Sequence, residues 1–213
     1  TSKEETMLAI VPQQPKVAMF LKQANTRRLT NLDKRPREHL VAHEIEALRK
    51  AARSNSRNPH RDDILILLMA THGLRVREAV NLKWSMVDLK IGLLHCTRVK
   101  NGLPSTHPLR GIEIRGLRQL RRENPDALHV FLSERKAPLS IRTAHRIISE
   151  AGKIANIGFS VHPHMLRHHV GFHLANAGHD IRTIQVYLGH SNIKNTVRYC
   201  QLSAKRFQNF WQD

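Results

Sequence analysis

From residue 40 onward the apolar positions recur at helical spacing. Ile45, Ala47, Leu48 and Ala51 mark a first helix, and residues 61–71 a second that Gly73 stops. The unbroken apolar run 64–70 reads as a helix buried on all sides. It is far shorter than the ~18–20 residues a membrane span needs. A short helix over 76–82 follows. The pattern then changes to a loose alternation over 93–99, meets the hairpin dipeptide Asn101-Gly102, and returns as a partner strand over 103–109. Helices are predicted again at 112–122 and 141–156, with a short extended piece at 129–132 between them. The last third reads as four short helices, at 163–177, 181–188, 193–199 and 204–211. Gly178 and Gly189 fall where C-caps belong, and Asp180 and Asn192 where N-caps belong. Leu82, Trp84, Val87 and Phe131 read as core, whereas the stripe Phe207, Phe210, Trp211 fits either core or a subunit contact. The predicted class is mainly α with a small antiparallel β-sheet (α+β).

Residues 1–39 break with this pattern. They hold Pro12, Pro15 and Pro36, one amphipathic stretch at 17–24, and a basic run from Arg27 to Arg37. The expected organisation is an N-terminal basic arm (1–39) followed by one globular domain (40–213). Charge sharpens the picture. Lys and Arg number 35 against 17 Asp and Glu, a formal charge of +18 with a pI near 11.0. Such an excess, spread along the chain, points to a folded positive face for a polyanion. Cys96 and Cys200 carry no CxxC spacing, which speaks against a disulfide framework or cysteine zinc site and fits a reducing compartment.

The candidate chemistry sits in the C-terminal third. His164-Met165-Leu166-Arg167-His168 opens one helix after Pro163, Leu188-Gly189-His190 closes the next, and Tyr199 follows nine residues after His190. His164 and Arg167 are spaced i, i+3 and so leave the same helix face. Upstream, Gly73-Leu74-Arg75-Val76-Arg77-Glu78 places a second arginine at the start of a short helix. Breaking a phosphodiester without a metal calls for this set. Planar guanidinium forks stabilise the charge on the non-bridging oxygens, a nucleophile attacks in line, and the departing oxygen takes a proton. Taken singly, each residue has a plainer reading: Tyr199 as a half-buried tyrosine, Arg75 as a cap, Lys100 as a solvated turn residue. The i, i+4 pairs His164/His168 and His169/His173 have zinc-like spacing, but no HExxH and no neighbouring carboxylate accompany them, so no metal is expected.

The set resembles the catalytic domain of the tyrosine recombinases, the family of phage integrases and site-specific DNA invertases, over about residues 40–213. It is nearest to the small fimbrial phase-variation invertases, through His107-Pro108-Leu109 and His162-Pro163-His164-Met165-Leu166-Arg167-His168; the hairpin text Pro104-Ser105-Thr106 departs from theirs. The resemblance implies a recombinase fold and a role for each residue. Arg75 and Arg167 clamp the scissile phosphate, and His190 donates a further hydrogen bond. Lys100 protonates the leaving 5′ oxygen, with Lys83 and Lys90 as alternatives. His164 assists proton transfer at Tyr199, which forms a 3′-phosphotyrosine link. Glu78 supports the site from behind, and His168 packs behind it. It further implies no cofactor, neither metal nor ATP, a homotetramer on paired double-stranded DNA sites, possible accessory DNA-bending proteins, and a cytoplasmic or nucleoid location without membrane contact.

Most members carry a core-binding domain of about a hundred residues before the catalytic one, and here about 39 precede it. Either that domain lies outside this sequence, or Arg27, Arg28, Lys34, Arg35 and Arg37 bind DNA from a basic arm. Two other readings stay open: a type IB topoisomerase-like DNA-relaxing enzyme, and a catalytically silent DNA-binding regulator of the same fold.

Overall fold

A computed structural model describes residues 37–98 and 102–200, apart from the side chain of Cys200. The arm residues Arg27, Arg28, Lys34 and Arg35, the hairpin residue Lys100 and the predicted helix at 204–211 lie outside the described residues.

Helix α1 (Ala42–Ser54) buries Ile45, Leu48 and Ala51 as its periodicity predicts, with Ala52 beside them, while Ala47 is half-buried. Its start is fixed by Glu44, whose carboxylate accepts the Val41 N–H at 2.9 Å. Helix α2 (Pro59–His72) is the spine of the domain: every residue from Asp62 to Ala70 is buried. It packs against α1 on one side and against α4 and α6 on others. A helix enclosed this way must pair its charges, and buried Asp63 accepts from Arg49 at 2.7 Å and Arg53 at 2.8 Å. Gly73, at φ +60°, then reverses the chain into α3 (Val76–Val80), which is two residues shorter than the pattern predicts.

The sheet has three antiparallel strands in the order β1 (Val87–Asp88), β2 (Leu93–Cys96), β3 (Ser105–Pro108). Cys96 pairs with Ser105 and Leu93 with Pro108, so the predicted hairpin is present with shorter strands. The two-residue β1 is not anticipated by the sequence pattern. Residues 129–132 form no strand. They hold place through single bridges, Lys83 to His129 and Leu132 to Pro138, which bring Phe131 into the core.

Helices α4 (Gly111–Glu123) and α5 (Ile141–Ile154) follow, the latter capped by the Ser140 hydroxyl, which accepts the Thr143 N–H at 3.0 Å. Helix α6 (Pro163–Asn176) leads to α7 (Ile181–Leu188), which Asp180 caps by accepting from the N–H groups of Arg182 and Thr183. The helix predicted at 193–199 is instead divided into α8 (Lys194–Val197) and a 3₁₀ turn (Arg198–Cys200). The tighter turn changes the angular phase along the segment, and Tyr199 points into the protein rather than along a surface face. Among the described residues, no helix is long and apolar enough to cross a membrane.

Candidate active site

Two chain reversals and one helix meet beside the C-terminal end of α2. The first is the Gly73 turn. Arg75, the residue before α3, donates from its guanidinium to Glu78 Oε1 at 2.8 Å, while its backbone N–H reaches Glu78 Oε2 at 2.9 Å. Glu78 is buried. Burial works against its charge, but the Arg75 N–H and the charges of Arg98 and Arg75 hold its pKa below the usual value. A quarter of the Arg75 side chain stays exposed.

The second contribution comes from α6. Arg167 is buried and donates to the carbonyls of Gly73 and Leu188, each at 2.5 Å. It therefore ties the α2 turn to the end of α7. Burial first, and then the charges of Arg75 and Arg98, push its pKa down to about 9. One turn earlier His164 lies at the surface, where partial desolvation by the surrounding protein and then the charges of His162, Arg167 and Arg75 lower its pKa.

The third is the Leu188-Gly189-His190 corner. Gly189 takes φ +65°, and a Cβ there would lie 2.7 Å from the Leu103 carbonyl. His190 is buried, its Nδ1 2.9 Å from the Thr196 hydroxyl. Burial, with Arg167 and Arg75 next in weight, holds its pKa at about 3, so the ring is neutral.

Tyr199 fills the middle of this arrangement and is 2% exposed. Its ring lies on Gly171, where a Cβ would meet three ring atoms at 2.5–2.6 Å, and meets Phe172 edge-on at a centroid distance of 5.2 Å. The phenol oxygen stands 2.9 Å from His168 Nδ1. Burial raises the phenol's pKa, against the pull of Arg167, Arg198 and Arg75. The sequence reading gives that proton to His164 and sets His168 behind the site. In the structure the ring at hydrogen-bond distance is His168, because the inward turn of Tyr199 brings it over the face of α6 that carries His168 and Gly171.

Arg75, Arg167, His190, Tyr199, Glu78 and His168 are thus gathered at one place, with His164 at its rim. Arg37 is not a free arm residue: it donates to Glu44 at 2.8 and 2.5 Å and lies over the Phe159 ring at 5.3 Å. The zinc-like spacings are otherwise engaged. His168 faces Tyr199, and His169 bonds the Leu40 carbonyl and stacks on His173. Sequence reasoning passes over Arg98, which is buried in the same cluster and donates to Glu78 Oε2 at 3.1 Å. Nothing in Thr97-Arg98-Val99 marks it, since no spacing distinguishes one arginine among so many.

A helical domain with one small sheet, converging two arginines and two histidines on an inward tyrosine, defines the tyrosine recombinase catalytic fold. The chain belongs to the phage integrase family, which it matches over residues 38–206. It is 42% identical over 186 residues to the type 1 fimbriae regulatory protein FimB of Escherichia coli K12, covering 84% of this chain and 92% of that one. The tyrosine recombinase XerA of Pyrococcus furiosus is 36% identical over 152 residues, which span 70% of this chain and 52% of the relative. A crystal structure of XerA recombinase superposes with a TM-score of 0.70 at 28% identity, covering 91% of this chain and 71% of that one.

Proposed function

We propose that this chain is a site-specific DNA recombinase that cuts and rejoins DNA through a 3′-phosphotyrosine intermediate. The observation that carries the reading is the charge around Tyr199. Arg75, Arg98 and Arg167 surround one buried carboxylate, Glu78, so the pocket is left with an excess of positive charge beside a phenol. A phosphodiester supplies the missing anion, and the excess is best used where negative charge grows in the transition state.

In this mechanism Arg75 and Arg167 hold the non-bridging oxygens. With Nδ1 accepting the Thr196 hydroxyl proton, His190 presents Nε2–H as a further donor. The Tyr199 oxygen attacks phosphorus and its proton passes to His168, 2.9 Å away, whose ring is neutral with a pKa lowered to about 4 and is made more basic by the negative charge of the incoming phosphate. The bond from phosphorus to the 5′ oxygen breaks, and that oxygen takes a proton from Lys100, a role resting on the sequence pattern. Rejoining reverses these steps and conserves the ester bond energy, without metal or ATP. The partner is a double-stranded DNA site, paired with a second in a homotetramer, and the domain begins near residue 40 after a basic arm.

The test is incubation with a gapped site that traps the cut state, read on a denaturing gel. The wild-type chain is expected to form a covalent protein–DNA adduct and Tyr199→Phe none. Arg75→Ala and Arg167→Ala should each slow its appearance by about 10²–10³. An equal adduct in Tyr199→Phe would overturn the reading.

A further inference from the structure

Arg98 leaves the end of β2 two residues before Lys100, and its side chain is fully enclosed, 0% exposed. It therefore cannot touch DNA as the protein stands. Yet its guanidinium reaches every chain reversal that builds the site. One nitrogen donates to Glu78 Oε2 at 3.1 Å. The other donates to the Tyr187 carbonyl at 2.5 Å, to the Ser105 hydroxyl at 3.3 Å and, weakly, to the His72 carbonyl at 3.5 Å. These partners belong to α3, the last turn of α7, β3 and the C-terminal end of α2. Gly189 closes the contact from the other side: a Cβ there would lie 2.5 Å from Arg98 Cγ and 2.7 Å from Nε.

We infer that Arg98 is a positioning residue for the phosphate clamp: it fixes Glu78, and through Glu78 the guanidinium of Arg75. Each Glu78 oxygen is committed. Oε1 takes the Arg75 guanidinium, and Oε2 takes both the Arg75 N–H and Arg98. Without Arg98 the carboxylate loses the ion-paired hydrogen bond that holds Oε2, and its grip on Arg75 loosens. Stability alone does not call for an arginine here, since a buried ion pair is often no better than apolar packing, and Arg98 Nε is buried with no hydrogen-bond partner among the described residues. A planar fork that serves a carboxylate and carbonyls in several directions is what only arginine supplies; lysine brings one compact charge. The same side chain also bonds Ser105 at the start of β3, and Arg98 lies two residues before Lys100 in sequence, so its loss has two routes to the chemistry, and the inference commits to the Arg75 route.

This inference rests on the recombinase reading, and one experiment separates the two. Single-turnover adduct formation is measured for wild type, Arg98→Lys, Arg98→Met, Glu78→Gln and the Arg98→Met/Glu78→Gln double variant, with the DNA dissociation constant and thermal midpoint of each. Two substrates are used: the ordinary site, and the same site with sulfur replacing the bridging 5′ oxygen. A thiol, with its ordinary pKa near ~8.5, departs as thiolate without a general acid. The expected result is an adduct rate lowered on the order of 10² for both Arg98 variants, as for a small misplacement of a reacting group. DNA affinity stays at the wild-type value, Arg98→Lys keeps the wild-type midpoint, the defect persists on the sulfur substrate, and Arg98→Met/Glu78→Gln is no slower than the worse single variant. Wild-type rates in Arg98→Met overturn the inference, as does full rescue by sulfur, which assigns Arg98 to the leaving group. So does a rate that falls only in step with lost affinity or folded fraction. A wild-type chain that forms no adduct overturns the recombinase reading and the positioning role with it.

Discussion

Tyr199, the proposed nucleophile, is almost wholly enclosed, and its oxygen faces His168, a histidine that the sequence reading sets behind the site. The family resemblance assigns His164 its role, and His164 and Arg167 do lie three residues apart on one helix, α6. What spacing does not convey is where Tyr199 turns. The 3₁₀ turn and the bare Gly171 bring the phenol over His168 instead. The two histidines can be told apart with asparagine, which keeps a polar group near the Nδ1 position and removes the basicity. His168→Asn is expected to slow single-turnover cleavage by about 10² or more, the share a positioned base contributes. His164→Asn should lose less than a tenth as much. The reverse order would return the proton to His164.

Among elements, the corner that ends α7 couples helix termination to the site. Gly73, Gly189 and Gly178 were legible as helix stops, because only glycine takes a positive φ without strain, and all three do. The pattern does not tell which of them is also crowded. At Gly178 (φ +93°) an added Cβ meets nothing within 4 Å; at Gly189 it meets Arg98 and the Leu103 carbonyl. Gly178→Ala should therefore cost only the backbone strain, ~1–2 kcal/mol in urea denaturation. Gly189→Ala should exceed it by a further ~1–3 kcal/mol of overpacking, and should also depress cleavage of the folded fraction. Equal losses at the two glycines would mean that the corner yields freely. Short elements were the illegible ones: β1 has two residues, too few for alternation to register, and residues 129–132 are held by single bridges. Periodicity reports long amphipathic runs such as α1 and α5, whereas the site depends on what the short turns do.

For the molecule as a whole, the formal charge of +18 conceals histidines that folding keeps neutral. Burial, assisted by nearby cations, lowers the pKa of His107 and His190 to about 3 and of His168 to about 4. Unfolded, each returns to about 6.5. Between those limits the unfolded chain binds more protons than the folded one, so stability is full above pH ~6.5 and declines as pH falls towards 4. The depressed carboxylates Glu44, Glu78 and Glu113 add a second loss only below about their ordinary pKa of 4.5. The thermal midpoint should therefore start to fall near pH 6.5, well above the carboxylate range. Mutual repulsion in so basic a chain also grows on acidification, and salt discriminates the two causes. At about 1 M salt the Debye length is ~3 Å, which screens surface repulsion but leaves the burial of neutral imidazoles untouched. The decline between pH 6.5 and 5 is expected to persist at high salt and to become shallower in His168→Asn. A midpoint that stays flat across that interval at high salt would show that these rings accept protons in the folded state as readily as in water.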